Sequence, residues 1–177
     1  MKTTLILSAA IAIFTLNACK EAETTAYEDT ANPTSSLGNY FTEEELTDAQ
    51  DIHIARATAK PGDEITLKGE VIGRSKVFVD GRASFIMGDP TKLTSCDKIP
   101  GDTCATPWDA CCDSKELKKI GIASIQIVDE DGRVLDGDLK GTKGLKELST
   151  ITVTGTVAEN STEENLVVNA TMIHVAK

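Results

Sequence analysis

The feature that most limits how this chain can fold is a strict alternation of apolar and polar residues near its C terminus. The segment TITVTGTV, residues 150–157, places Ile151, Val153 and Val157 on one face and threonines on the other. A period of two residues is typical of a half-buried β-strand. The segments EITLKGEVIG, ASFIMGD and IASIQIV alternate in the same way, and LVVNATMIHV supplies a terminal strand. The sequence therefore predicts five antiparallel strands, separated by turns that include Pro61-Gly62, Asp80-Gly81 and Asp131-Gly132.

The order and spacing of these strands predict a small all-β barrel. The stretches PGDEITLKGEVIG, STITVTGTV and LVVNATMIHV resemble strands of the OB-fold, a five-stranded Greek-key barrel, and the resemblance covers residues 54–175. It implies a connecting helix between the third and fourth strands, where the chain reads LKGTKGLKEL. A small β-sandwich is the alternative fold. The segment FTEEELTDAQ predicts a further short helix, capped by Thr42 with Glu45 three residues later.

The N terminus has the pattern of an export signal. One lysine precedes an apolar run from Leu5 to Leu16, which is too short to span a bilayer as a helix. The sequence LNAC that follows resembles the lipobox of bacterial lipoproteins, which implies a signal peptide at residues 1–18 and lipidation of Cys19. An ordinary secretory signal that leaves Cys19 free is the alternative. The resemblance places the protein in the cell envelope, and Lys20 favours the outer membrane, facing the periplasm.

The lipobox and the composition after it suggest three segments. Residues 19–41 contain the lipidated cysteine and a stretch rich in Glu, Thr, Ser and Ala with few large apolar side chains, which predicts a flexible tether. Residues 42–177 are then the OB-like domain. This length is enough for one domain.

Four of the five cysteines lie in the segment CDKIPGDTCATPWDACC, within a long loop between the second and third predicted strands. In an oxidising compartment an even set of close thiols predicts disulfides. A bond between the adjacent Cys111 and Cys112 is strained, so Cys96 and Cys104 are each expected to pair with one member of the adjacent pair. Which pairs with which is left open. The loop has few apolar side chains, so these bonds are expected to hold it in place.

A metal site or a redox centre is the rival interpretation of the same four cysteines. Structural zinc sites usually use closer C-x₂₋₄-C spacing than the C-x₇-C-x₆-C-C found here. The C-x-x-C arrangement of redox enzymes is absent. His53 and His174 lie in strand-like stretches far from the loop in sequence. We therefore expect no bound metal and no cofactor.

The stretch VDGRASFIMGDP followed by CATPWDACC is similar to a group of uncharacterised exported bacterial proteins that carry a TPWDxCC element. The matching residues are Thr106, Pro107, Trp108, Asp109, Cys111 and Cys112. The resemblance implies an exported OB-like domain and brings no activity with it. Held as a rigid turn, Pro107, Trp108 and Asp109 could contact a partner, or the Trp108 ring could cap the disulfides.

Composition and motifs together favour a binding protein over an enzyme. With two histidines and no base beside a nucleophile, nothing supports catalysis. The aspartates of VDEDGRVLDGD predict a solvated turn, because they lack the pattern of a calcium loop. A net charge of −10 and 4% aromatic residues disfavour nucleic-acid binding. We therefore predict a membrane-anchored, non-catalytic binding module with an unknown protein or small-molecule partner. The alternatives are metal or redox handling by Cys96, Cys104, Cys111 and Cys112, and oligosaccharide or nucleic-acid binding.

Overall fold

The structure is a computed structural model that describes residues 36–177. The predicted signal peptide and Cys19 lie outside the described residues. The described strands and α-helices are β1 (Phe41–Thr42), β2 (Gln50–Asp51), α1 (Ile52–Thr58), β3 (Glu64–Glu70), β4 (Ser84–Gly88), α2 (Lys115–Gly121), β5 (Ile122–Gln126), β6 (Thr150–Val157) and β7 (Leu166–Val175). Short 3₁₀ turns are formed by Gly38–Tyr40, Cys96–Lys98 and Thr142–Gly144.

Five of the strands close into a barrel. The hydrogen-bonded order runs β3, β4, β5, β7, β6 and back to β3. The β5–β7 pair is parallel and the other four pairs are antiparallel. The short strands β1 and β2 extend this sheet by parallel pairing with β7 and β3. The predicted all-β, OB-like barrel is therefore confirmed, and its five strands lie within the five segments predicted from alternation. The prediction that all five strands are antiparallel is wrong for β5 and β7, which pair in parallel.

The barrel interior is filled by the apolar face that the alternation predicted. Ile151, Val153 and Val157 are buried on β6, while the threonines between them are partly exposed and Thr150 is exposed. The same division holds on β3, β4 and β5, where the inward side chains include Leu67, Phe85 and Ile125. Burial of large apolar side chains contributes about 1.5–3 kcal/mol each. The core thus follows directly from the sequence pattern.

Two glycines allow the strands to approach closely where the barrel closes. A Cβ atom added to Gly69 on β3 would lie 2.5 Å from the carbonyl oxygen of Gly88 on β4. A Cβ atom on Gly155 would lie 2.3 Å from the carbonyl oxygen of Asn169, at the register shift between β6 and β7. No other residue type fits such contacts without displacing backbone.

The helix predictions need two corrections. Residues 41–50 form β1, an irregular connection and the first residue of β2 in place of the predicted helix. Phe41 and Thr42 pair with β7, and the Thr42 hydroxyl accepts a hydrogen bond from the Glu44 N–H at 3.0 Å. The connection between β5 and β6 carries only the 3₁₀ turn Thr142–Gly144 instead of a helix. The helix α2 lies one connection earlier, directly before β5, where the Ser114 hydroxyl caps it by accepting the Leu117 N–H at 3.2 Å.

The described part of the chain includes residues that were assigned to the tether. Leu37 is fully buried and belongs to the main apolar core. The domain therefore starts before residue 42. Between residues 36 and 177, none of the helices has the length and apolar character that a membrane crossing requires.

Candidate functional site

The four cysteines of interest lie in the connection between β4 and α2. We call residues 89–114 the cysteine loop. Its two limbs run side by side, because the Cys96 N–H donates to the Asp109 carbonyl at 2.8 Å and the Asp97 N–H donates to the Pro107 carbonyl at 2.9 Å. Further out, the Thr94 N–H donates to the Asp113 carboxylate at 2.8 Å. Hydrogen bonds between its two limbs thus fold the cysteine loop back on itself.

A small apolar cluster fixes the cysteine loop to the barrel. Leu93 and Ala110 of the loop are buried against Ile72, which follows β3, and Ile122, the first residue of β5. The sequence predicts that crosslinks hold the loop, because few of its side chains are apolar. Leu93 and Ala110 provide an apolar anchor that this prediction did not anticipate. Lys98 adds an ion pair with Glu70 at the end of β3, with 2.8 Å between Nζ and Oε2.

The doubling back of the loop brings three sulfur atoms together. The Sγ atoms of Cys96, Cys104 and Cys111 all lie within 4.8 Å of one another, and those of Cys96 and Cys111 are 3.5 Å apart. The Sγ of Cys112 lies 3.8 Å from that of Cys111. Cys96 is buried, Cys104 is half-buried, and the adjacent pair is exposed. The cluster therefore has one protected side and one open side.

The surroundings change the acidity of these thiols unequally. Burial, together with hydrogen bonds to the Cys111 and Cys104 thiols, raises the pKa of Cys96 to about 12. Hydrogen bonds from the hydroxyl and backbone N–H of Thr106 lower the pKa of Cys104. The neighbouring Cys111 thiol raises the pKa of Cys112. Cys104 consequently forms a thiolate more readily than Cys96 does.

The geometry leaves the predicted disulfides untested. All four thiols are free, and the shortest recorded separation of 3.5 Å is well above the ~2.05 Å of a disulfide bond. A small movement could join Cys96 to Cys111, so disulfide formation remains a prediction. In the sequence, the wide C-x₇-C-x₆-C-C spacing argues against a metal site. That argument is weakened, because sequence spacing does not limit ligands that a folded loop brings together.

The TPWD segment is built into the packing of the loop. Trp108 is half-buried and packs against both apolar clusters. Its indole N–H donates to the Ser75 carbonyl at 3.0 Å, and its own carbonyl accepts the Gly73 N–H at 2.9 Å. Trp108 thus connects the loop to the segment after β3. Pro107 and Asp109 are half-buried beside it, and all three keep some surface for a partner.

A second polar site, which the sequence analysis missed, lies at the start of the cysteine loop. Asp89 is fully buried. Its Oδ2 accepts a hydrogen bond from the His53 backbone N–H at 3.0 Å and lies 2.8 Å from His53 Nδ1. Its Oδ1 accepts from the N–H and hydroxyl of Thr91. His53 lies in α1, so its assignment to a strand-like stretch was wrong. The Asp89 carboxylate ties the first turn of α1 to the end of β4.

The remaining predicted groups have structural surroundings. His174 lies on β7, as its strand-like context predicted, with Nδ1 3.3 Å from the Thr42 carbonyl oxygen. Asp129 accepts the N–H groups of Asp131 and Arg133, which forms the predicted turn around Gly132. Phe78 and Phe85 are buried with ring centroids 6.0 Å apart, so they offer no platform for stacking bases. None of these groups adjoins the sulfur cluster in its recorded contacts.

Comparison with known proteins adds no family to this description. No protein-family model, curated protein or solved structure matched the chain.

Proposed function

We propose that this chain is a lipoprotein of the cell envelope, anchored through Cys19 and facing the periplasm, that acts as a non-catalytic binding module. The anchor is proposed from the lipobox-like sequence LNAC. The observation that carries the binding role is the convergence of three sulfur atoms in a loop that is packed onto the barrel. Fixed side chains on a rigid support are suited to binding, because little conformational freedom is lost when a ligand arrives.

The distribution of charge and aromatic rings disfavours nucleic acid as the ligand. The chain has a net charge of −10. Phe78 and Phe85 are used in the core, and Trp108 is half-buried in the loop packing. A single-strand binder needs a basic groove and accessible rings. The cysteine loop is a better candidate for the binding element than the barrel surface.

Native mass spectrometry of the full chain, purified from the membranes of its host in detergent, tests the proposal. We expect the wild-type chain to carry a bound species, and Cys104→Ser to lose it. The matched control is Thr103→Ser, an exposed neighbour in the same loop. Trp108→Ala is less suitable, because it would disturb the packing of the loop as well as its surface. An unliganded wild-type chain would count against the proposal, and retention of the species by Cys104→Ser would count against the cysteine loop as the binding element.

A further inference from the structure

We propose that Cys96, Cys104 and Cys111 together bind one thiophilic metal ion, Cu(I) or Zn(II). This inference rests on the proposed function and names the ligand class of the same loop. Only sulfur atoms belong to the cluster, with no carboxylate or imidazole in the set of three. Soft thiolate ligands select Cu(I) and zinc over hard ions such as magnesium and calcium.

The separations between the sulfur atoms fit a shared ion. Zinc–sulfur bonds of ~2.3 Å place the sulfurs of a tetrahedral or trigonal site about 3.8–4.0 Å apart. The Cys96 and Cys111 sulfurs are 3.5 Å apart, and no pair within the three exceeds 4.8 Å. Shifts of a few tenths of an ångström to about 1 Å therefore suffice to place one ion in contact with all three.

The fold supplies the support that a metal site requires. Cys96 begins the 3₁₀ turn Cys96–Lys98, and its N–H is held by the Asp109 carbonyl. The Cys104 N–H donates to the Asp102 carboxylate, and its sulfur lies 3.5 Å from the Thr106 hydroxyl oxygen. Such contacts orient metal ligands. Cys111 is exposed, so an ion can reach the site from solvent.

The position of Cys112 sets it apart from the other three. Its sulfur is 3.8 Å from that of Cys111, but it does not belong to the group in which every pair is within 4.8 Å. Three thiolates satisfy Cu(I), whereas zinc usually takes a fourth ligand, which water can provide. We therefore assign three protein ligands and exclude Cys112.

Metal titration of the full chain, reduced, stripped with a chelator and kept free of oxygen, tests this assignment. Separate titrations use Cu(I) and Zn(II), each with a competing chromophoric chelator. We expect one equivalent of at least one ion to bind, and Co(II) to give thiolate charge-transfer absorption. Loss of a ligand should weaken binding by at least about 100-fold, since loss of an outer-shell contact costs 10–100-fold.

The variants Cys96→Ser, Cys104→Ser and Cys111→Ser should each show this loss, and Cys112→Ser should change affinity by less than tenfold. Circular dichroism checks that each variant is folded, and the half-buried Cys104 provides the test if Cys96→Ser unfolds. Failure of both ions to bind the folded wild type, or an equal loss in Cys112→Ser, would overturn the assignment. A protein or organic molecule found on the host-purified chain, with no metal, would leave the binding module standing and reject the metal.

Discussion

At the scale of single residues, the Asp89 carboxylate is fully buried and accepts hydrogen bonds on both oxygens. Its burial by itself raises its pKa, but hydrogen bonds from Thr91 and His53 outweigh that effect, and the pKa lies below the ordinary value of 3.8. A group with a lowered folded-state pKa stabilises the fold above its unfolded pKa and loses that contribution as the pH falls through the folded value. Asp89 therefore contributes to stability at neutral pH, and the contribution disappears in strong acid.

We expect Asp89→Asn to lower the free energy of unfolding by about 2 kcal/mol at pH 7, because hydrogen bonds to charged groups contribute about 1.5–3 kcal/mol. Urea titrations at pH 7 and at pH 2 measure the change, and the difference from wild type should shrink at the lower pH. The exposed Asp131→Asn is the control, with an effect below about 0.5 kcal/mol. A loss that is equal at both pH values would show that the charge of Asp89 is not responsible.

The sulfur positions also predict how the chain oxidises when no metal is bound. With oxidised glutathione, two protein thiols transfer their hydrogens to the reagent, which leaves as two thiols. At equilibrium we expect a bond between Cys96 and Cys111, because their sulfur atoms are already 3.5 Å apart. Cys104 and Cys112 are then the two thiols that remain, and we expect them to form the second bond. Peptide mapping without reductant identifies the pairs. Pairing of Cys96 with Cys112 would contradict the prediction, and a bound metal should slow the reaction.

At the scale of elements, strand β6 gives the clearest separation of inward and outward positions. Val153 is fully buried, whereas Thr152 is only partly so and faces away from the core. We expect Val153→Ala to lower the free energy of unfolding by about 1–3 kcal/mol. Thr152→Ala should change it by less than about 0.5 kcal/mol. Chemical denaturation compares the two, and equal effects would mean that both faces of β6 are packed alike.

The strands could be predicted because the alternation of side chains reports directly which face is buried. The helix at residues 41–50 was mispredicted because local capping chemistry competes with sheet pairing, and the partner of Phe41 is Ile173 at the far end of the chain. Separation along the chain also explains the missed pairing of His53 with Asp89, which are 36 residues apart. The convergence of sulfurs depends on how the loop folds back, and neither spacing nor composition contains that information.

At the scale of the whole molecule, the proposed lipid anchor on Cys19 would determine where the barrel works. If Cys19 carries lipid, Cys19→Ser should leave the exported domain in the soluble fraction, while the wild type stays with the membranes, because acyl chains contribute about 0.8 kcal/mol for each buried CH₂ group. Fractionation followed by immunoblotting measures the change. The control is Lys20→Ala, which keeps the cysteine. A soluble wild type with an unmodified Cys19 would contradict the lipoprotein proposal.

The position of β7 in the barrel has a consequence for the timing of folding. This strand follows all the other described strands in the chain, yet it pairs with β5, β6 and β1. Until it emerges from the ribosome, β5 and β6 each lack a neighbour and the barrel stays open. Domains dominated by such long-range pairing fold slowly. We therefore expect the barrel to stay open until β7 has been synthesised, and an unfolded chain is the state that the proposed export would require.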